Sequence, residues 1–167
     1  MQNKRHIALS VNGERIESDI DIRMTLAEFL REDLGLIGTK IGCNRGECGC
    51  CTVILDDKAV YSCTILAIEA SGRTVTTIEG LLNNGELHPL QSAFIEHDAV
   101  QCGYCTPGMI MSLKALLDRE PHPSEEDIKT AIDGNFCRCG CYPNIVNATL
   151  SASEKMLQKG DESLNGC

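Results

Sequence analysis

The sequence predicts an α+β chain in two parts, a strand-rich N-terminal half followed by a helical C-terminal half. Three observations carry this reading. Apolar residues alternate with polar ones as far as Ile78, they recur at helical spacing beyond His88, and the stretch between is polar, with Asn83, Asn84 and Gly85. The expected boundaries are a sheet domain over 1–80, a linker over 81–87, a helical domain over 88–158 and a polar, mobile tail over 159–167.

Ile7, Leu9 and Val11 alternate with polar neighbours, Asn12-Gly13 supplies a tight turn, and Ile16, Ile20 and Ile22 alternate again, which predicts a β-hairpin. Thr25 and Glu28 form a capping box ahead of Leu26, Phe29, Leu30 and Leu34, a helical run that Gly35 stops. A hairpin followed by a helix is how a β-grasp sheet begins. Thr52 to Leu55, the Asp56-Asp57 turn and Ala59 to Tyr61 predict a second hairpin, and Thr74 to Ile78 a last strand. Beyond the linker, helices are expected over Pro89 to His97, Pro107 to Arg119, Ser124 to Asp133 and Asn144 to Leu157. Met109, Ile110, Leu113, Leu116 and Leu117 share one face of the second of these, and together the helices suggest a small four-helix bundle. Pro107, and Ser124 with Asp127, suit helix starts.

Each half of a 167-residue chain is too small for a generous core. A chain with 11 cysteines and no tryptophan therefore points to stability drawn partly from metal ligation. A secreted disulfide scaffold is disfavoured because the cysteine count is odd and Lys4 and Arg5 lead straight into an alternating pattern rather than an apolar signal core. A cytoplasmic location, where thiols stay reduced, is expected. No apolar run approaches membrane-span length, and the net charge of -9 argues against nucleic acid as a partner. Solubility is the plain use of that charge.

Cys43, Cys48 and Cys51 stand at Cys-x4-Cys-x2-Cys, with Cys63 following, which is the plant-type [2Fe-2S] ligand spacing. Sulfide-bound iron takes soft, anionic thiolates, and one loop can wrap a cluster only if its backbone turns sharply, as Gly42, Gly46 and Gly49 allow. Arg45 could add positive charge, or be an ordinary surface arginine. A zinc tetrad is the alternative, but zinc sites usually pair Cys-x2-Cys knuckles. Cys50, between ligands, reads as a small core residue. Cys102-x2-Cys105 alone is a weak signal, shared by zinc knuckles and redox disulfides. Its partner pair Cys137-Arg138-Cys139 makes a second tetrad, again just ahead of a helix.

Gly42-Cys43 to Cys51-Thr52-Val53, Gln101 to Gly108 (Gln-Cys-Gly-Tyr-Cys-Thr-Pro-Gly) and Asn135-Phe136-Cys137-Arg138-Cys139 occur in an order that resembles the small two-cluster iron-sulfur subunit of the molybdenum hydroxylases. These include the xanthine dehydrogenase, aldehyde oxidoreductase, carbon monoxide dehydrogenase and 4-hydroxybenzoyl-CoA reductase relatives. The resemblance spans Ile7 to Leu157. It implies a plant-ferredoxin-like β-grasp domain followed by a four-helix-bundle [2Fe-2S] domain. It also implies a large partner subunit bearing molybdenum on a pyranopterin, a medium subunit usually bearing FAD, and commonly a doubled heterotrimer. Carried over by position, the cluster on Cys102, Cys105, Cys137 and Cys139 would lie near the pterin, with Gln101 and Cys139 contacting it, and the cluster on Cys43, Cys48, Cys51 and Cys63 near the flavin. Gly140-Cys141-Tyr142 departs from the usual Thr-Gly-Tyr run. It leaves Cys141 as a surplus residue beside the cluster, either a small packed side chain or an alternative ligand should Cys139 be lost.

His6, His88, His97 and His122 show no metal-like spacing, neither cysteine loop holds the two histidines of a Rieske centre, and no Gly-x-Gly-x-x-Gly run opens a helix. Glu125, Glu126 and Asp127 read as a charged helix start. The sequence therefore leads to electron transfer as the whole of this chain's chemistry, with no substrate turnover of its own. A free two-cluster ferredoxin and a colourless zinc module are the rival readings.

Overall fold

A computed structural model describes residues 3–82 and 84–164, without the side chains of 159–164. Strands β1 (Lys4–Val11) and β2 (Glu14–Asp21) form the first antiparallel hairpin, paired from Lys4↔Asp21 to Val11↔Glu14. Its turn is Asn12-Gly13, both at positive φ, the left-handed pair that matches the twist of the flanking strands. Helix α1 (Leu26–Glu28) follows. Its Thr25 Oγ1 accepts the Glu28 N–H at 3.2 Å, while Glu28 Oε2 accepts the Thr25 N–H at 2.8 Å. The helix widens into a π-type turn over Phe29–Asp33 before the chain leaves at Gly35. β3 (Thr52–Leu55) and β4 (Lys58–Tyr61) make the second hairpin around Asp56 and Asp57, both also at positive φ. β5 (Thr74–Thr76) lies between β1, to which it is parallel, and β3, to which it is antiparallel. The order across the sheet is β2-β1-β5-β3-β4.

One face of this sheet buries Ile7, Leu9, Val11, Ile20, Val53, Leu55 and Val75 against Leu26, Phe29 and Leu30. Four further helices follow: α2 (Pro89–Glu96), α3 (Thr106–Arg119), α4 (Glu125–Ile132) and α5 (Tyr142–Leu164). Their core gathers Leu90, Phe94, Met109, Met111, Leu113, Leu117, Ile128 and Ile145. Every residue of β3 is buried, because Val53 and Leu55 face the first core while Ile54 joins the helical one, where α3 packs across the strand. A strand covered on both faces loses the alternation of a half-exposed one. β3 therefore links the two parts of the chain.

Ile22 falls outside β2 and is 38 % exposed, and β5 ends at Thr76, giving way to a 3-10 turn over Ile78–Leu81. Leu81, where the linker is expected to begin, is buried in the helical core. α5 runs on to Leu164, past the expected start of the polar tail. Asn83 of the expected linker and residues 165–167 of the expected tail, including Cys167, lie outside the described residues. No helix among the described residues is long and apolar enough to cross a membrane.

Candidate iron-sulfur centres

The first cysteine set is assembled by the loop between α1 and β3 and by the second hairpin. The register Thr52↔Tyr61 places Cys51 opposite Ser62. Both the N–H and the hydroxyl of Ser62 donate to the Cys51 carbonyl, at 3.3 and 2.7 Å. A 3-10 turn over Ser62–Thr64 then carries Cys63 back to pack beside Cys51. On the other side of the loop Cys43 and Cys48 are neighbours.

The backbone N–H groups of Arg45 and Glu47 donate to Cys43 Sγ at 3.4 and 3.3 Å. Burial opposes ionisation of Cys43, but these amides and that of Cys48 outweigh it and bring the thiol down to about 6. Cys51 is the opposite case: burial and the neighbouring Cys63 thiol push it up to about 12. The Arg45 side chain points away to Glu47, 3.7 Å distant, so this residue serves the sulfur through its backbone. Gly42 is required by proximity, since a Cβ there would lie 2.8 Å from Cys48 Sγ. Of the loop's sharp turns, the one at Asn44 (φ 54°) is made without glycine.

In the second set, Cys102 and Cys105 precede α3, and Cys137 and Cys139 occupy the turn between α4 and α5. Cys105 and Cys137 are neighbours. Burial raises Cys137, but the N–H groups of Cys141, Gly140 and Cys139, with the Cys105 thiol, hold it below the ordinary thiol value. Cys105 itself is pushed up to about 12 by burial and by Cys137. Cys102 and Cys139 are exposed, as are Gln101, Tyr104 and Phe136 around them.

These arrangements fit a two-iron group. Such a group takes two thiolates per iron rather than four on one point. Cys43 neighbours Cys48, Cys51 neighbours Cys63 and Cys105 neighbours Cys137, while Cys50 likewise lies beside Cys48 and Cys141 beside Cys137, and Cys102 and Cys139 are exposed. Among the described residues no three His, Cys, Asp or Glu side chains converge on a single-ion position. In each set an amide-cradled sulfur with a depressed pKa is combined with one that desolvation pushes up and whose anion needs a cation beside it.

Two further cysteines lie beside these sets. Cys50 is buried, its thiol raised to about 12 by burial and by Cys48, and its Sγ lies 3.8 Å from the Cys48 carbonyl oxygen. Cys141 is buried and also raised, by burial and by Cys137.

The two sets share a seam that spacing alone does not reveal. The Phe136 N–H donates to the Cys48 carbonyl at 2.9 Å, Asn135 Nδ2 to the Gly49 carbonyl at 3.0 Å, Tyr61 Oη to the Gly134 carbonyl at 3.0 Å and Tyr104 Oη to the Ile41 carbonyl at 2.9 Å. Asn135 stands in the motif ahead of Cys137, but nothing in the string of residues joins it to Gly49 or Tyr61 to Gly134.

Two family models cover most of the chain: a 2Fe-2S iron-sulfur cluster binding domain matches residues 9–76, and a [2Fe-2S] binding domain matches residues 77–150. The chain is 47 % identical to the small subunit of nicotine 6-hydroxylase from Paenarthrobacter nicotinovorans, over 87 % of this chain and 88 % of that one. Its structure is similar to a chain of quinoline 2-oxidoreductase from Pseudomonas putida 86, with a TM-score of 0.90 at 38 % identity, covering 94 % of this chain and 98 % of that one. It is similar too to aldehyde oxidoreductase of Desulfovibrio gigas, with a TM-score of 0.88 at 40 % identity, covering 93 % of this chain but 17 % of that much longer one.

Proposed function

Because the chain belongs to the family of two-[2Fe-2S] iron-sulfur subunits of the molybdenum hydroxylases, we propose that it carries electrons singly between the molybdenum-pterin centre of a large partner and a flavin or other acceptor, the flavin on a medium subunit. The observation that carries this is the pairing of two cysteine sets across a hydrogen-bonded seam, one set opening onto the surface at Cys102 and Cys139.

Cys43, Cys48, Cys51 and Cys63 would hold the first cluster, and Cys102, Cys105, Cys137 and Cys139 the second. When bound, the clusters supply reversible one-electron redox steps at potentials tuned by hydrogen bonds to their sulfurs. The protein supplies the rest. The amides of Arg45 and Glu47 stabilise negative charge on Cys43, and those of Cys139, Gly140 and Cys141 do so on Cys137. The buried positions of Cys51, Cys63 and Cys137 keep water from one side of each set.

Gln101 and Cys139 would meet the pterin. Both are exposed, beside the apolar rings of Tyr104 and Phe136, which suits a surface covered by a partner. A free shuttle has no use for exposed aromatic side chains such as Tyr104 and Phe136 next to its second cysteine set. The chain divides on this reading into a β-grasp domain over 1–80 and a four-helix-bundle domain over 88–158, joined through 81–87. A doubled heterotrimer in the cytoplasm, where thiols remain reduced, is the expected assembly. The substrate would be set by the large subunit.

The test is electron paramagnetic resonance of the dithionite-reduced protein purified with its partners, with iron and molybdenum measured on the same sample. Two distinct rhombic [2Fe-2S] signals with accompanying molybdenum are expected. One signal or none, with zinc in place of iron, would overturn the reading.

A further inference from the structure

Asn135 is 3 % exposed and sits where the two cysteine loops meet. Its side chain is used at both ends. Oδ1 accepts the Ser112 hydroxyl of α3 at 2.8 Å, and Nδ2 donates to the Gly49 carbonyl at 3.0 Å, with Thr52 Oγ1 at 3.4 Å. Its backbone N–H donates to the Ile132 carbonyl at 2.8 Å, and its carbonyl accepts the Tyr142 hydroxyl at 3.2 Å. That same Tyr142 oxygen accepts the Cys137 N–H at 2.8 Å.

Gly49 lies between Cys48 and Cys51 of the first set, and Asn135 lies just ahead of Cys137 of the second. The residue between Asn135 and Cys137 is Phe136, whose N–H reaches the Cys48 carbonyl at 2.9 Å. A ligand of one set is thus joined to a ligand of the other through the Cys48 carbonyl, one hydrogen bond and the Phe136 backbone. That contact depends on how closely the two loops approach. Gly49 comes so near that a Cβ would lie 2.5 Å from the Gly134 carbonyl oxygen and 2.6 Å from Asn135 Nδ2.

We propose that Asn135 is a positioning residue which, anchored on Ser112, holds the two cluster loops at a fixed separation and so sets the electronic contact between the clusters. An amide suits this task better than a charged or aliphatic side chain. It must accept from a hydroxyl on one side and donate to a carbonyl on the other, and a buried donor or acceptor left unpaired at either end is costly. The inference rests on the two-cluster reading above. A residue that only satisfied buried polar groups would affect stability and nothing else.

The experiment compares Asn135→Ala and Ser112→Ala with wild type in the intact complex, at matched iron content. Spin–spin broadening between the two reduced clusters is read at low temperature, against samples poised so that only one cluster is reduced. The rate of electron passage between the clusters is read by rapid mixing. Expected are both [2Fe-2S] signals in each variant, loss of the mutual broadening and slower passage in Asn135→Ala, and a smaller shift in the same direction in Ser112→Ala. Wild-type broadening and rate in an iron-replete Asn135→Ala protein overturn the proposal. Should Asn135→Ala fail to retain iron, an unchanged Ser112→Ala protein overturns it equally. Wild type lacking two cluster signals would instead strike at the two-cluster reading itself.

Discussion

Replacing Gly49 by alanine tests how tightly the two cysteine loops are pressed together, and Gly35 supplies a control with nearly the same backbone. Gly49 has φ +66° and Gly35 φ +69°, so alanine meets the same left-handed penalty at both, about 1–2 kcal/mol. The surroundings differ. At Gly35 an added Cβ meets nothing within 4 Å, whereas at Gly49 it lies 2.5 Å from the Gly134 carbonyl oxygen and 2.6 Å from Asn135 Nδ2. Neither neighbour yields easily, because the first is backbone held by the Tyr61 hydroxyl and the second is an amide fixed on Ser112. Forcing a methyl group into a packed site costs roughly a further 1–3 kcal/mol. With a slope of about 2 kcal/mol per molar urea, Gly49→Ala should unfold at a midpoint about 0.5–1.5 M below Gly35→Ala. Loss of visible cluster absorbance and of far-ultraviolet circular dichroism would be followed together under anaerobic conditions. Equal midpoints for the two variants would refute the close approach of the loops.

Cys102→Ser should remove one [2Fe-2S] signal and leave the other, read by electron paramagnetic resonance with iron analysis, since its set is distinct from that of Cys43 and Cys48; loss of both from a folded protein would refute independent sites. Cys50→Ala and Cys141→Ala should each retain wild-type iron, because Cys43, Cys48, Cys51 and Cys63, and Cys102, Cys105, Cys137 and Cys139, already supply the four thiolates each two-iron group takes; iron analysis and visible absorbance check this, and loss of a cluster would make the residue a ligand. His88 caps α2 through Nδ1, which accepts the Leu90 N–H at 3.2 Å, and burial, aided by the Lys114 charge, holds its pKa below the ordinary imidazole value. The unfolded chain therefore binds more protons just below pH about 6.5, so stability should fall as pH drops from about 7 to about 5. His88→Asn keeps a capping acceptor without titrating and should lessen that fall, measured as denaturant midpoint against pH; identical pH profiles would refute the assignment.

Much of the architecture was legible in the sequence because its causes are local. Asn12-Gly13 calls for the left-handed turn it makes, Thr25 and Glu28 cap α1 as their spacing predicts, and Ser124 and Asp127 form the box that starts α4. The departures arise where distant packing overrides local pattern. β3 is buried on both faces by α3, so Ile54 belongs to the helical core, and Leu81 is drawn into the same core from a segment that reads as a linker.

By itself, the sequence pointed to the cysteines proposed to act together, because cluster chemistry demands thiolates at spacings a loop can close, and Cys-x4-Cys-x2-Cys and the pairs Cys102/Cys105 and Cys137/Cys139 are visible as text. Only the tertiary structure decided how the two sets face each other. The Phe136 N–H meets the Cys48 carbonyl, Tyr61 meets Gly134, and Asn135 reaches from Ser112 to Gly49 across residues far apart in the chain. Hydrogen bonds of that kind depend on where α3 and the α4–α5 turn dock against the first loop, and burial of apolar side chains on both faces of β3 sets that docking.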